Sequence, residues 1–365
     1  MDFPEFRLIN SMVMRDKRCQ YALGLPYYRS SFRTREGGLN VIANDEIEAR
    51  VTDLWGLVSE PVLIGRTQNR VYSSVVGDDD VIVRISDSRH RSREMLLAEI
   101  EWMTFLERQG IHVSLPIAST RAEVIDTVEI GDDTLHVIVF PKARGRAIQA
   151  LDEIDEALAI RWGRTLGKMN RVSVGFEART GHRKGTDDPG IQSLSWHAKQ
   201  LNSAPPRLFE IAEWAESLPK VPEAYGLIHS DMQYSNFFYD DHEIYPFDFD
   251  DCCYHWRVAD IANPLYGMYF DLSTSNGDVN RLGSIKEHLV AGFVSECPGI
   301  EPWIEGLNRF IEYRICLLYC WCHNRENRPH WIAGADPAWR QFLLDWSSRE
   351  LDEGHVRKLP SSLRS

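Results

Sequence analysis

Apolar residues recur at helical spacing from Ile47 through Val51 to Leu54, behind an asparagine at 44 that suits an N-cap and ahead of a stop at Gly56. The period then shortens. Pro61 to Ile64 and Arg70 to Val76 read as strands, and a Gly77-Asp-Asp-Asp80 turn leads into a third at Val81 to Ser86. Ser92 to Arg108 returns to helical spacing, with Leu96, Ile100 and Met103 on one face and Gly110 as the stop. Glu123 to Ile130 and Thr134 to Phe140 close the region as two more strands around Gly131. The pattern predicts a five-stranded antiparallel sheet with one inserted helix.

Beyond Pro141 and Gly145 the texture is helical. Ile154 to Val172, Pro206 to Leu218, Val279 to Ser295, Pro302 to His323 and Pro337 to Leu351 are rich in Leu and Trp. Only Asn236 to Tyr239 and Ile244 to Phe247 read as short strands. The expected architecture is α+β: a smaller β-rich lobe followed by a larger, mainly helical lobe, with a cleft between them. The boundaries are an N-terminal extension at 1–43, a first lobe at 44–140, a second at 141–353 and a tail at 354–365.

Charge narrows the function. With 41 Lys and Arg against 54 Asp and Glu, the net of -13 argues against a broadly basic nucleic-acid surface. No apolar run approaches the roughly 18 residues of a membrane span. The seven cysteines, an odd number, point to a reducing compartment, read here as the cytoplasm. Residues 1–43 carry no apolar stretch of the kind a secretory signal needs. Nothing in the sequence fixes an oligomeric state.

The sharpest chemical signal is Gly226-Leu-Ile-His229-Ser-Asp231-Met-Gln-Tyr-Ser-Asn236, followed by Ile244-Tyr-Pro-Phe-Asp248-Phe-Asp250-Asp251. Transfer of a γ-phosphoryl group needs a carboxylate beside the attacking hydroxyl and oxygen ligands that hold Mg²⁺ against a triphosphate. Asp231 suits the first task. Asn236, brought back by the loop, and Asp248, at a strand end, suit the second, and Asp250 is an additional candidate ligand. His229 reads as a residue that fixes the loop rather than one that carries a proton. The spacing His-x-Asp, four residues, Asn matches a kinase catalytic loop, with Ser230 where protein kinases place Arg. Cys316, Cys320, Cys322 and His323 are close in sequence, but only the first two share a helix face, so they read as core rather than as zinc ligands.

These words, with Asp248-Phe-Asp-Asp-Cys252 and Trp256-Arg-Val-Ala-Asp260-Ile-Ala, make the sequence resemble the aminoglycoside phosphotransferase-like family, which includes antibiotic, choline and homoserine kinases. The resemblance implies a protein-kinase-like two-lobed fold, ATP and Mg²⁺ as cofactors, and transfer to a hydroxyl of a small molecule, cationic acceptors such as an aminoglycoside, choline or an amino alcohol included. A protein Ser/Thr kinase of the same fold, or a nucleotide-binding pseudokinase, are the alternatives. It places Asp231 as catalytic base, Asn236 and Asp248 as metal ligands, and Asp260 as the brace of the catalytic loop. Where relatives use a strand Lys for the α/β-phosphates this chain has Arg84, with Glu99 as its expected helix partner; a guanidinium is a different shape of cation. Gly65 and Asn69 would bound the phosphate-covering loop, and Val139 and Phe140 would meet adenine at a hinge. Asn170 stands where relatives frequently place His and reads as packing variation.

Overall fold

The computed structural model describes residues 41–66, 68–188, 192–275, 277–324 and 329–359. Most of the expected extension 1–43, and the tail beyond Leu359, therefore lie outside the described residues. The chain divides into two compact units. One takes residues up to Arg93, Ser114–Lys142 and the piece Gly334–Asp336; the other takes Glu94–Val113, Ala143–Ala333 and the chain from Pro337.

The first unit is a sheet with a helix packed on it. Helix α1 (Val41–Trp55) is followed by strands β1 (Val62–Arg66), β2 (Arg70–Val76), β3 (Asp79–Asp87), β4 (Asp126–Ile130) and β5 (Asp133–Pro141). The sheet order is β1-β2-β3-β5-β4, antiparallel throughout. Ile47, Val51 and Leu54 of α1 are buried against Tyr72, Val83, Val128 and Val137 of the sheet, each such side chain contributing about 1.5–3 kcal/mol. The Trp55 indole N–H donates to the Ile117 carbonyl at 3.1 Å. Asn44 is not the N-cap: it lies inside α1, which begins at Val41. Gly56 ends the helix in the left-handed region, at φ +65°.

The second unit is mainly helical. Helix α2 (Arg93–Arg108), which follows β3 in sequence, belongs to it from Glu94 on. Then come α3 (Glu156–Val172), α4 (Leu194–Ala198), α5 (Pro206–Ser217), strands β6 (Tyr225–Ile228), β7 (Phe237–Tyr239), β8 (Ile244–Pro246) and β9 (Cys253–Trp256), and helices α6 (Ala259–Thr274), α7 (Arg281–Glu296), α8 (Glu301–Ile304), α9 (Leu307–His323), α10 (His330–Ala333) and α11 (Pro337–Glu353). Four strands stand where two are expected. β7 and β8 are the two expected; β6 and β9, of four residues each, are additional. The expected helix 302–323 is two helices, α8 and α9. Helix α6 is not among the expected helices; it carries Pro264 at its sixth residue, where the ring removes a backbone hydrogen-bond donor.

Helices α3 and α7 meet backbone to backbone through glycines. A methyl group added at Gly163 would lie 2.0 Å from the Leu289 carbonyl oxygen, and one at Gly292 would lie 2.2 Å from that of Ile160. No side chain is available to swing away. Gly163→Ala is therefore expected to destabilise the protein by about 3 kcal/mol through overpacking, read as a lower urea midpoint at unchanged m-value.

His255, on β9, is buried at 2% exposure among Trp256, Phe310 and Tyr313, with ring centroids 5.2–6.1 Å away. Burial, reinforced by the Arg314 cation, pushes its pKa down to about 3. A folded-state pKa below the unfolded value means that the unfolded chain takes up the proton first. The stability this neutral ring provides is full above pH 6.5 and is lost as pH falls toward 3, at about 1.4 kcal/mol per pH unit. In chemical denaturation between pH 7 and 5, His255→Phe should show a shallower loss of stability than the wild-type chain.

Candidate active site

The site residues of the second unit lie on two nested hairpins. β6 pairs with β9 and β7 with β8, so the loop after β6 and the residues after β8 are returned to one another. The Phe247 N–H donates to the Asn236 carbonyl at 3.0 Å, which sets Asn236 beside the segment carrying Asp248. The Asn236 amide nitrogen donates to the Asp231 carbonyl at 2.7 Å and to its carboxylate at 3.0 Å. This turns the Asn236 Oδ1, a hard oxygen ligand, to the other side.

Two non-glycine residues here occupy the left-handed region, Ser230 at φ 67° and Asp248 at φ 61°. Each such residue costs on the order of 1–3 kcal/mol and persists only where its surroundings over-determine it. For Ser230 the determinant is Asp260, in the first turn of α6. Its fully buried carboxylate accepts the Ser230 N–H at 2.8 Å, the His229 N–H at 3.3 Å and the Asn170 side-chain N–H at 2.7 Å. Asn263, one turn on, donates to the Ser230 carbonyl. Burial raises the Asp260 pKa to about 6 against the opposing pull of these hydrogen bonds. Asn170 is thus no packing variant but a polar arm of this network, a role that only the fold reveals.

His229 links the two arms. Its Nδ1 accepts from the Asp231 N–H at 3.3 Å, which leaves Nε2 as the donor to the Phe247 carbonyl at 3.2 Å. Complete burial drives its pKa down to about 4, so the ring is a neutral bridge.

Asp231 is recessed yet reachable, and Asp248 is exposed. Burial, then the negative charge of Asp251, raises the Asp231 pKa well above the usual carboxylate range; the Arg314 cation opposes this, and Asp248 adds to it. Asp251, rather than Asp250, is the extra acid that bears most on Asp231. Asp250 is 4% exposed in the turn Phe249–Asp251. The accumulated carboxylates and the amide oxygen of Asn236 are the donor chemistry that suits a hard divalent cation. Among the described residues no three His, Cys, Asp or Glu side chains converge as a metal cage.

In the first unit, Arg84 lies on β3, paired in register with Val71 and Ile138. It is 4% exposed, with its guanidinium 5.2 Å over the Phe140 ring. Val139 is buried on β5 and its carbonyl accepts the Ile117 N–H at 2.9 Å, so one of its lone pairs is already engaged. Gly65 is not in a loop: it belongs to β1, at an irregularity in the pairing with β2. Asn69 follows in the bend before β2, and Thr67 lies outside the described residues. Glu99, on α2 of the second unit, is fully buried with the Arg183 guanidinium 4.0 Å away. Arg183 and Arg314 have no sequence signal of their own; a charged residue in a loop or a helix gives no hint of what it faces.

The sequence profile of the phosphotransferase enzyme family (APH) matches residues 61–279, well over half the chain. The chain belongs to this family. It is 25% identical over 299 residues to the amicoumacin kinase of Bacillus subtilis (strain 168), covering 78% of this chain and 86% of that one. Among solved structures it is similar to an amicoumacin kinase, hAmiN, in complex with AMP-PNP, Ca²⁺ and Ami, at a TM-score of 0.72 and 21% identity over 87% of this chain and 97% of that one. It is also similar to a microcompartment-associated aminopropanol kinase, at a TM-score of 0.63 and 19% identity over 88% and 99% of the two chains. The fold class is that of these kinases: α+β, with an antiparallel sheet in the N-terminal part and a larger helical part after it. Among the described residues no helix is long and apolar enough to cross a membrane.

Removing the Asp260 carboxylate leaves three buried donors unpaired, each costing about 1–3 kcal/mol. Asp260→Ala is expected to lose about 3 kcal/mol or more in urea unfolding, and Asn170→Ala, which removes one donor together with its acceptor's contact, distinctly less.

Proposed function

We propose that this protein transfers the γ-phosphoryl group of ATP to a hydroxyl of a small, amine-bearing molecule, using Mg²⁺. The observation that carries this reading is the grouping of the Asp231 carboxylate, the Asn236 amide and the Asp248 carboxylate on two facing hairpin arms. Membership of a phosphotransferase family and the likeness to enzymes named for amicoumacin and aminopropanol support it.

Asn236 Oδ1 and Asp248 are the residues proposed to hold the metal, which when bound would neutralise charge on the phosphate oxygens. Asp231 aligns the acceptor hydroxyl and accepts its proton. The Arg314 cation favours the ionised form of this carboxylate, against the burial and the neighbouring acids that hold its pKa above the usual range. His229, neutral and bonded on both nitrogens, keeps the Asp231 and Asp248 segments at a fixed separation. Arg84 is the proposed cation for the α/β-phosphates, and Phe140 the proposed neighbour of adenine. Because the chain contributes positioning and charge rather than covalent chemistry, most of its effect is preorganisation.

Asp231→Asn is expected to lower turnover by about 10³-fold, within the range of general-base contributions, while ADP affinity changes little. An ADP-release screen over amino alcohols, aminoglycosides and hydroxy amino acids supplies the acceptor, and calorimetric titration supplies the affinity. Wild-type turnover in the variant would remove Asp231 from the mechanism.

A further inference from the structure

Asp248 stands between two clamps. On its N-terminal side, Phe247 is held through its N–H by Asn236 and through its carbonyl by His229. On its C-terminal side the chain makes the short turn Phe249–Asp251, and the carbonyls of Asp250 and Cys252 both accept from one guanidinium, that of Arg183. Its Nε donates to Cys252 at 2.7 Å and its Nη2 to Asp250. The remaining nitrogen, Nη1, donates to the Met95 carbonyl of α2 at 3.2 Å and lies 4.0 Å from the Glu99 carboxylate. Arg183 is 6% exposed. These three hydrogen bonds and the nearby Glu99 carboxylate offset the cost of burying a guanidinium.

The segment that carries Arg183 is itself anchored as a strap across the unit. At its outer end the Glu101 carboxylate accepts the N–H groups of Arg179 and Thr180 and the Thr180 hydroxyl, at 2.7–3.0 Å. Gly181 lies directly on α2, where an added methyl would be 1.9 Å from the Glu94 carbonyl oxygen. At the inner end the Lys184 carbonyl accepts the Tyr254 N–H at 3.0 Å. The strap therefore runs from the helix bearing Glu99 to the turn that follows Asp248.

We propose that Arg183 is a positioning residue for phosphoryl transfer: it fixes the backbone on the far side of Asp248, so that this carboxylate is presented to the metal in its left-handed conformation, and it ties that turn to α2 through the Met95 carbonyl, with the Glu99 carboxylate nearby. The proposal rests on the metal role of Asn236 and Asp248 given above. Arg183 touches neither nucleotide nor acceptor. Its effect passes through the direction in which Asp248 points, as outer-shell partners act on metal ligands elsewhere.

The test is calorimetric titration of ADP into the full chain at a series of Mg²⁺ concentrations, alongside thermal unfolding. In Arg183→Met the Mg²⁺ concentration for half-maximal tightening of ADP binding is expected to rise about tenfold, with ADP affinity in EDTA unchanged. Arg183→Lys, which keeps the charge but not the fork, should move in the same direction, and it decides the matter if the Met variant does not fold. Glu101→Gln loosens the outer end of the strap and should lower the unfolding temperature without changing the Mg²⁺ requirement. A wild-type Mg²⁺ requirement in both Arg183 variants, or an equal shift in Glu101→Gln, would overturn the positioning role alone. Nucleotide binding by the wild-type chain that ignores Mg²⁺ would instead overturn the metal role of Asn236 and Asp248, and this proposal with it.

Discussion

The buried carboxylate of Asp260 is the constraint on which the site depends. It accepts three N–H groups, two from the backbone of the loop carrying Asp231 and one from Asn170. Two consecutive N–H groups can face one acceptor only if the chain turns sharply, and the turn is made by Ser230 at φ 67°. An unpaired carboxylate in this position would be costly, and an unsupported left-handed serine would relax. Each feature compensates the other. The helix beneath continues the support: Asn263 holds Ser230 and receives the Gln233 side chain on its carbonyl at 2.9 Å, and Asp271 receives the Tyr234 hydroxyl at 2.7 Å. Residues 260, 263 and 271 thus grip successive residues of the loop from one face of α6.

With the loop fixed, nested hairpins do the rest. Asp231 and Asp248 are seventeen positions apart in the chain, yet the β7–β8 pairing and the Phe247–Asn236 bond place their segments side by side. The result is a concentration of negative charge around Asp231, which the Arg314 cation opposes. A bound cation would compensate this charge, which is the electrostatic logic of the proposed metal site. Of the two left-handed residues, Ser230 precedes Asp231 and Asp248 carries part of this charge, and hydrogen bonds of neighbouring residues hold the backbone around each.

What could be read from the sequence was what is local. The His-x-Asp and Asn spacing is legible because one loop contains all three residues, and the sheet of the first unit is legible because its turns are marked by Gly77 and Gly131. The α3–α7 contact was not, since Gly163 and Gly292 announce themselves only once two helices are known to touch. Helix α6 is not among the expected helices, although its Asn263 is one of the residues that hold the loop. Arg183 illustrates the limit most clearly. Its acceptors come from α2 and from the turn after Asp248, pairings at sequence separations of 67 to 88 that no local pattern encodes. Asn170 misled for the same reason, its partner being 90 residues away.

The central claim is that Asn236 and Asp248 share one divalent cation beside Asp231. Anomalous diffraction from crystals grown with AMP-PNP and Mn²⁺ locates that ion without reference to activity. The account predicts a manganese peak in contact with Asn236 Oδ1 and the Asp248 carboxylate, with Asp231 left open to an acceptor. Manganese bound elsewhere while these two side chains point into solvent would contradict it.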